Sequence, residues 1–279
     1  MSVTDPVTGY PPDPHVLRDL GFETERRQDH RIVRAVATPH LADDGRHLGQ
    51  GVLAILLDVS GASTAIEAVQ PDWIATVDLT YHGGPVGLGP VLLDVAPVRV
   101  GKNLVVMQAR VQAGVTEPDP SAEVGHGLVT FARIPGSATE ATLDDRADQD
   151  RTALVASVPL SEPLPHRLGI TTIDASNGII EMPHSDYARN SFGTINGGVV
   201  GLLCDTAARL AATELLGPAV TTHGLEVHYL AQTRVGPART VGRVIRADRH
   251  GATVRVDVAD AGADDTLLAI GVVSVALDE

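Results

Sequence analysis

The chain has 279 residues, enough for one large domain or two of ordinary size. Its 21 Lys and Arg against 35 Asp and Glu leave a net charge of −14, which speaks against a nucleic-acid surface or an anionic-membrane binder, because both need clustered cations. Phe, Trp and Tyr make up only 3% of the chain within an apolar 43%, so the core is aliphatic, and the single cysteine, Cys204, excludes an internal disulfide framework and multi-cysteine metal sites and fits a reducing cytoplasm.

In chain order, residues 1–14 are polar, acidic and proline-rich and read as a flexible tail, without the cationic start or apolar stretch of a secretory signal. A first domain is expected over 15–134, with a short opening segment at 17–22, a strand, and a helix over 51–68. Residues 135–158 open with Pro135-Gly136-Ser137, are rich in Asp, and read as a linker with room for one helical turn. A second domain over 159–279 repeats the plan: a segment at 164–170, a helix over 198–216, then strand-like runs at 222–230, 239–248, 253–259 and 267–277. The longest apolar runs, 52–57, 197–204 and 267–277, fall short of the roughly 20 residues that cross a bilayer.

Three landmarks recur at a near-constant offset of 147 to 148 residues. Leu20-Gly21-Phe22 answers to Leu168-Gly169-Ile170, Leu56-Leu57-Asp58 to Leu203-Cys204-Asp205, and Asp78-Leu79-Thr80-Tyr81 to Glu226-Val227-His228-Tyr229. That period is too long for a solenoid and indicates duplication of a whole domain. Each helix is apolar nearly all round, as a helix enclosed by other structure must be. The Val-rich runs with short glycine turns favour antiparallel pairing. The expected class is α+β, with one long central helix per unit wrapped by an antiparallel sheet.

An Asp inside an apolar helix needs a reason, since an unpaired buried carboxylate is costly. One such Asp is as readily a hydrogen-bond acceptor for a neighbouring strand as a catalytic group; Asp58 and Asp205 at one register favour catalysis. The run Gly193-Thr194-Ile195-Asn196-Gly197-Gly198 puts side-chain-free N–H groups at a helix start, where they serve either a tight turn or an oxyanion. Asn190 adds an amide able to orient water or a carbonyl. Gly197 and Asp205 are separated by about 12 Å along one helix, so no single helix closes a site. Two antiparallel helices would bring the Asp of one to the glycine end of the other.

Asn190, then Asn196-Gly197-Gly198, then Asp205 resembles the motif of the hotdog-fold acyl-CoA thioesterases of the PaaI-like group, in a tandem form, with Asn196 in place of the family's histidine. The resemblance implies two hotdog domains packed as an intrachain pseudo-dimer, with Asn and Gly of one unit facing the Asp of the other. Carried over by position, the complete site combines Asn190 and Gly197 with Asp58. The mirror site, Asp43 and Gln50 with Asp205, departs further and is expected to be inactive. The family pattern also points to Thr222, with Thr76 as its counterpart, and to Gly198, Arg99, Lys102, Arg246 and Arg249 for binding coenzyme A, the four cations flanking the turns at Gly101 and Gly251; a solvated turn explains them equally well. Cys204 reads as a small buried residue, and no metal or cofactor is expected beyond the coenzyme A of the substrate. The partners expected are an acyl-CoA and further copies of the two-unit chain. Two other readings stand beside this one: a non-catalytic acyl-CoA binder, which the eroded first-unit motif would suit, and a double-hotdog hydratase or dehydratase, whose Asp and His motif is not found.

Overall fold

The computed structural model describes residues 10–43, 45–136, 151–217 and 220–277. The first unit comprises α1 (Val16–Asp19), β1 (Phe22–Arg27), β2 (His30–Ala37), β3 (His47–Leu48), α2 (Gln50–Val69), β4 (Trp73–Gly83), β5 (Val86–Gly87), β6 (Gly89–Val100), β7 (Leu104–Ala113) and β8 (Glu123–Ile134), followed by β9 (Arg151–Leu154). The second comprises α3 (Leu164–Arg167), β10 (Thr171–Asp174), β11 (Ile179–Met182), α4 (Gly197–Leu216), β12 (Val220–Tyr229), β13 (Ala238–Ala247), β14 (Gly251–Asp260) and β15 (Thr266–Leu277).

Among the described residues thirteen strands form one antiparallel sheet in the order β10-β11-β13-β14-β15-β12-β4-β8-β7-β6-β2-β1-β9. The halves join where β12 lies beside β4, with Leu225 opposite Tyr81 and Val227 opposite Leu79, all four buried. Strand alternation gives the sheet its inner face: Ala252, Val254, Val256 and Val258 of β14 are buried while the residues between them are not. That face closes over α2 and α4, whose apolar surfaces are thereby removed from water. By length and composition α2, alone among the described residues, would pass for a membrane-crossing helix, but most of it lies inside this protein core.

The two central helices run antiparallel and touch backbone to backbone. A Cβ built on Gly198 would lie 2.3 Å from Ile55 Cα, and one on Gly51 would lie 2.6 Å from Leu202 Cα. Gly201 meets Ala54 in the same seam. These small residues set the helix spacing, and with it the distance from each Asp to the opposite helix start.

The α+β architecture with two wrapped helices is as expected, and both helix spans match within a residue. Two segments differ. Arg151–Leu154, read as linker, is strand β9 and pairs with β1, Phe22 opposite Leu154; the remainder of the linker, 137–150, with its expected helical turn, lies outside the described residues. The end of the segment read as a loose tail is fixed as well: Arg18 Nε donates to the carbonyls of Pro11 and Pro12 at 3.0 and 2.9 Å.

Gly51→Ala forces the helices apart and is expected to cost about 1–3 kcal/mol in denaturant unfolding. Gly87→Ala, where a Cβ meets nothing within 4 Å, is the control and should unfold at or above the wild-type midpoint.

Candidate active site

The close helix crossing places the third turn of α2 over the first turn of α4. Asp58 is 4% exposed; its Oδ1 accepts from Thr76 Oγ1 at 2.7 Å and its Oδ2 from the Gly198 N–H at 3.1 Å. Asn196 caps the same helix, its Oδ1 accepting from the Gly198 N–H at 3.0 Å. Tyr229 reaches across from β12 and donates its hydroxyl to the Gly197 carbonyl at 2.8 Å. A Cβ on Gly197 would stand 3.0 Å from Asp58 Oδ2 and 3.2 Å from Thr76 Oγ1, so a side chain there would crowd the carboxylate. The Gly197 N–H, the first of the helix, has no acceptor among the described residues.

Burial raises the pKa of Asp58 above the ordinary 3.8, and the hydrogen bonds from Thr76 and Gly198 only partly oppose it. No cation pairs with this carboxylate among the described residues. The site thus holds a desolvated carboxylate of raised basicity beside a free helix N–H.

The pseudo-symmetric site repeats the frame with different contents. Asp205, 1% exposed, accepts from Thr222 Oγ1 at 2.6 Å and from the Gly51 N–H at 3.1 Å. Arg209 bridges it to Asp43, with Nε 3.4 Å from Asp205 Oδ2 and Nη2 2.7 Å from Asp43 Oδ1. Gln50 stands where the other helix has Gly197, its amide donating to the Gly84 carbonyl at 3.2 Å while its Oε1 is buried without a partner. The Tyr81 hydroxyl, equivalent to that of Tyr229, is also buried without a partner.

Residues 192–266 match the model of the Thioesterase superfamily. No curated protein matches the chain. Among solved structures, a Novosphingobium aromaticivorans protein assigned as a thioesterase is similar at 15% identity and a TM-score of 0.62, over 92% of this chain and 98% of that one. A protein with a hot dog fold from Alicyclobacillus acidocaldarius is similar at 12% identity and 0.56, over 92% and 96%. An acyl-ACP thioesterase from Bacteroides thetaiotaomicron is similar at 13% and 0.54, over 88% and 96%. The fold is therefore a double hotdog.

Within this double hotdog the residues singled out from sequence divide between the two sites. Asp58, Gly197 and Gly198 meet. Thr222 does not join them: it serves Asp205, because β12 belongs to the same unit as α4, and Thr76 of β4 is the hydroxyl at Asp58. Asn190 is occupied in its own loop, its Oδ1 accepting from the N–H groups of Phe192 and Thr194 and its Nδ2 donating to Thr194 Oγ1, so it shapes the approach to α4.

The cations likewise lie at opposite ends. The turn bearing Arg99 and Lys102 is tied through Arg133, which donates to the Gly101 carbonyl and to Asp72, to the end of α2, and the neighbouring Trp73 packs edge-on against Phe192 of the loop before α4. Arg246 and Arg249 are exposed beside the end of β15, where the His250 carbonyl accepts from Leu277. Burial pushes the Cys204 thiol up, away from nucleophilic use. No cluster of three His, Cys, Asp or Glu among the described residues is placed to hold a metal ion. Sequence reading missed Tyr229 and Arg209; the second was detectable as a cation four residues after Asp205, where the first helix has Ala62.

The raised Asp58 pKa carries a sign. Between the unfolded and the higher folded value the native state binds more protons, so stability falls as pH rises through that window. Asp58→Asn removes this slope; denaturant unfolding from about pH 4 to 8 should show the wild type losing stability relative to the variant as pH rises.

Proposed function

We propose that the chain hydrolyses an acyl-CoA thioester to the free acid and coenzyme A at the Asp58 site, with no cofactor apart from the coenzyme A of the substrate. The observation that carries this reading is the buried Asp58 carboxylate held against the glycine start of the other unit's helix by Thr76 and Gly198. A thioester carbonyl oxygen at the Gly197 N–H would be polarised by that donor and by the positive end of α4. Asp58, its basicity raised by burial, takes the proton of a water attacking the carbonyl carbon, or attacks that carbon itself. Collapse of the tetrahedral intermediate breaks the C–S bond and releases the thiolate of coenzyme A. Arg99 and Lys102, at the Trp73–Phe192 end, are the cations on hand for its phosphates. The likeness to an acyl-ACP thioesterase makes an acyl carrier protein the other carrier to test. The same reading takes the protein as a cytoplasmic homo-oligomer of two-unit chains.

Thiol release is to be measured on acyl-CoAs of varied chain and on an acyl-ACP. Asp58→Asn should lose about 100-fold or more, while Asp205→Asn keeps most activity. Full activity in Asp58→Asn overturns the assignment. Acyl-CoA that raises the melting temperature of the wild type without turnover makes the protein a binder.

A further inference from the structure

The chain enters α4 from a closed hairpin. The Asn190 N–H donates to the Thr194 carbonyl at 2.6 Å and the Asn196 N–H to the Ala188 carbonyl at 2.9 Å, with Arg189 paired to Ile195 between them. Two such flanking bonds leave the Arg189 carbonyl facing out of the hairpin. Residues 195–197 run from this pairing straight into the helix, so the hairpin decides where the Asn196 cap and the Gly197 N–H point.

The first half builds the same hairpin ahead of α2. Gly49 donates to the Leu41 carbonyl at 3.1 Å and Ala42 pairs with Leu48, each position 147 residues before its counterpart. What differs is the segment that meets the hairpin from outside. At α4 the chain ahead of α1 comes across from the first unit: the Val16 N–H donates to the Tyr187 carbonyl at 3.0 Å, and the Tyr187 hydroxyl donates to Asp19 at 2.7 Å. Beside them His15 is fully buried, its Nδ1 accepting the Leu17 N–H at 3.1 Å, so the ring proton is on Nε2 and donates to the Arg189 carbonyl at 2.8 Å. Burial lowers the His15 pKa to about 4, which keeps this neutral ring near pH 7. In the second unit Pro163 takes the corresponding place ahead of α3, and its ring has no N–H to donate.

We propose that His15 is a positioning residue of the Asp58 site, its Nε2–H holding the Arg189 carbonyl and, through the Arg189–Ile195 pairing, setting the Asn196 cap and the Gly197 N–H against Asp58. His15 and Asp58 belong to one unit and the hairpin to the other, so this bond fixes the start of α4 relative to the unit whose carboxylate it meets. The role rests on reading Asp58 as the working carboxylate.

The test separates the two ring nitrogens in the full chain. His15→Asn keeps an acceptor for the Leu17 N–H but falls short of Arg189, whereas His15→Gln carries an amide N–H out to the Nε2 position. Thiol release from an acyl-CoA should show kcat lowered about three- to tenfold in His15→Asn, the worth of one ordinary hydrogen bond, with KM little changed, and kcat returned toward wild type in His15→Gln. Amide hydrogen exchange at Gly197 and Gly198, which needs no turnover, should quicken in His15→Asn and slow again in His15→Gln. Should His15→Asn fold poorly, His15→Ser, a cap of shorter reach, takes its place. A kcat that merely follows the denaturation midpoint across these variants, or kcat and exchange both unmoved in His15→Asn, overturns the role of His15. An Asp58→Asn that hydrolyses at the wild-type rate overturns the reading beneath it, while the exchange comparison still decides whether His15 holds the helix start.

Discussion

Each central helix gives its carboxylate to the first turn of the other. Asp58 bonds the Gly198 N–H and Asp205 the Gly51 N–H, and these reciprocal contacts exist only because glycines let the two backbones meet. A carboxylate at a helix start gains both hydrogen bonds and the favourable end of the helix dipole, which offsets the cost of burying it. The rest of the fold serves that crossing: the β4–β12 seam holds the halves in one sheet, and the aliphatic inner face seals the helices from water.

Much of this was legible in the sequence because the constraint is repeated. An Asp in an apolar helix, at one register in both halves, points to a shared frame, and the 12 Å along one helix requires a second helix to complete it. The helix spans and the last four strands follow from patterns of burial that the folded chain obeys. What stayed hidden depends on the path of the chain between elements. Thr76 and Thr222 are both hydroxyls at matching positions, and only the strand's attachment to its own unit decides which Asp each one serves. Asn190 fits a motif by spacing, while its bonds to Phe192 and Thr194 are local and could not be read from spacing. β9 sits in a segment whose composition is that of a loop; its order comes from a partner far along the chain, Phe22.

The duplicated frame also permits a comparison that a symmetric dimer would not. Both carboxylates receive one hydroxyl and one helix N–H, so backbone and hydroxyl contacts do not distinguish them. The difference lies in three side chains. Gln50 fills the helix mouth that Gly197 leaves open, Arg209 supplies a cation where Ala62 supplies none, and Asp43 replaces Asn190 as that cation's second partner. An arginine held between two carboxylates pairs with both and fixes their positions, which suits a structural role.

At Asp58 the balance runs the other way. Nothing cationic compensates the buried charge among the described residues, and the carboxylate is left less acidic than in water. A protein selected only for stability would place an arginine here, as the other half of this chain has done. The same frame therefore holds a neutralised carboxylate at one end and an uncompensated one at the other, and the cost carried at Asp58 marks the end where chemistry is to be sought.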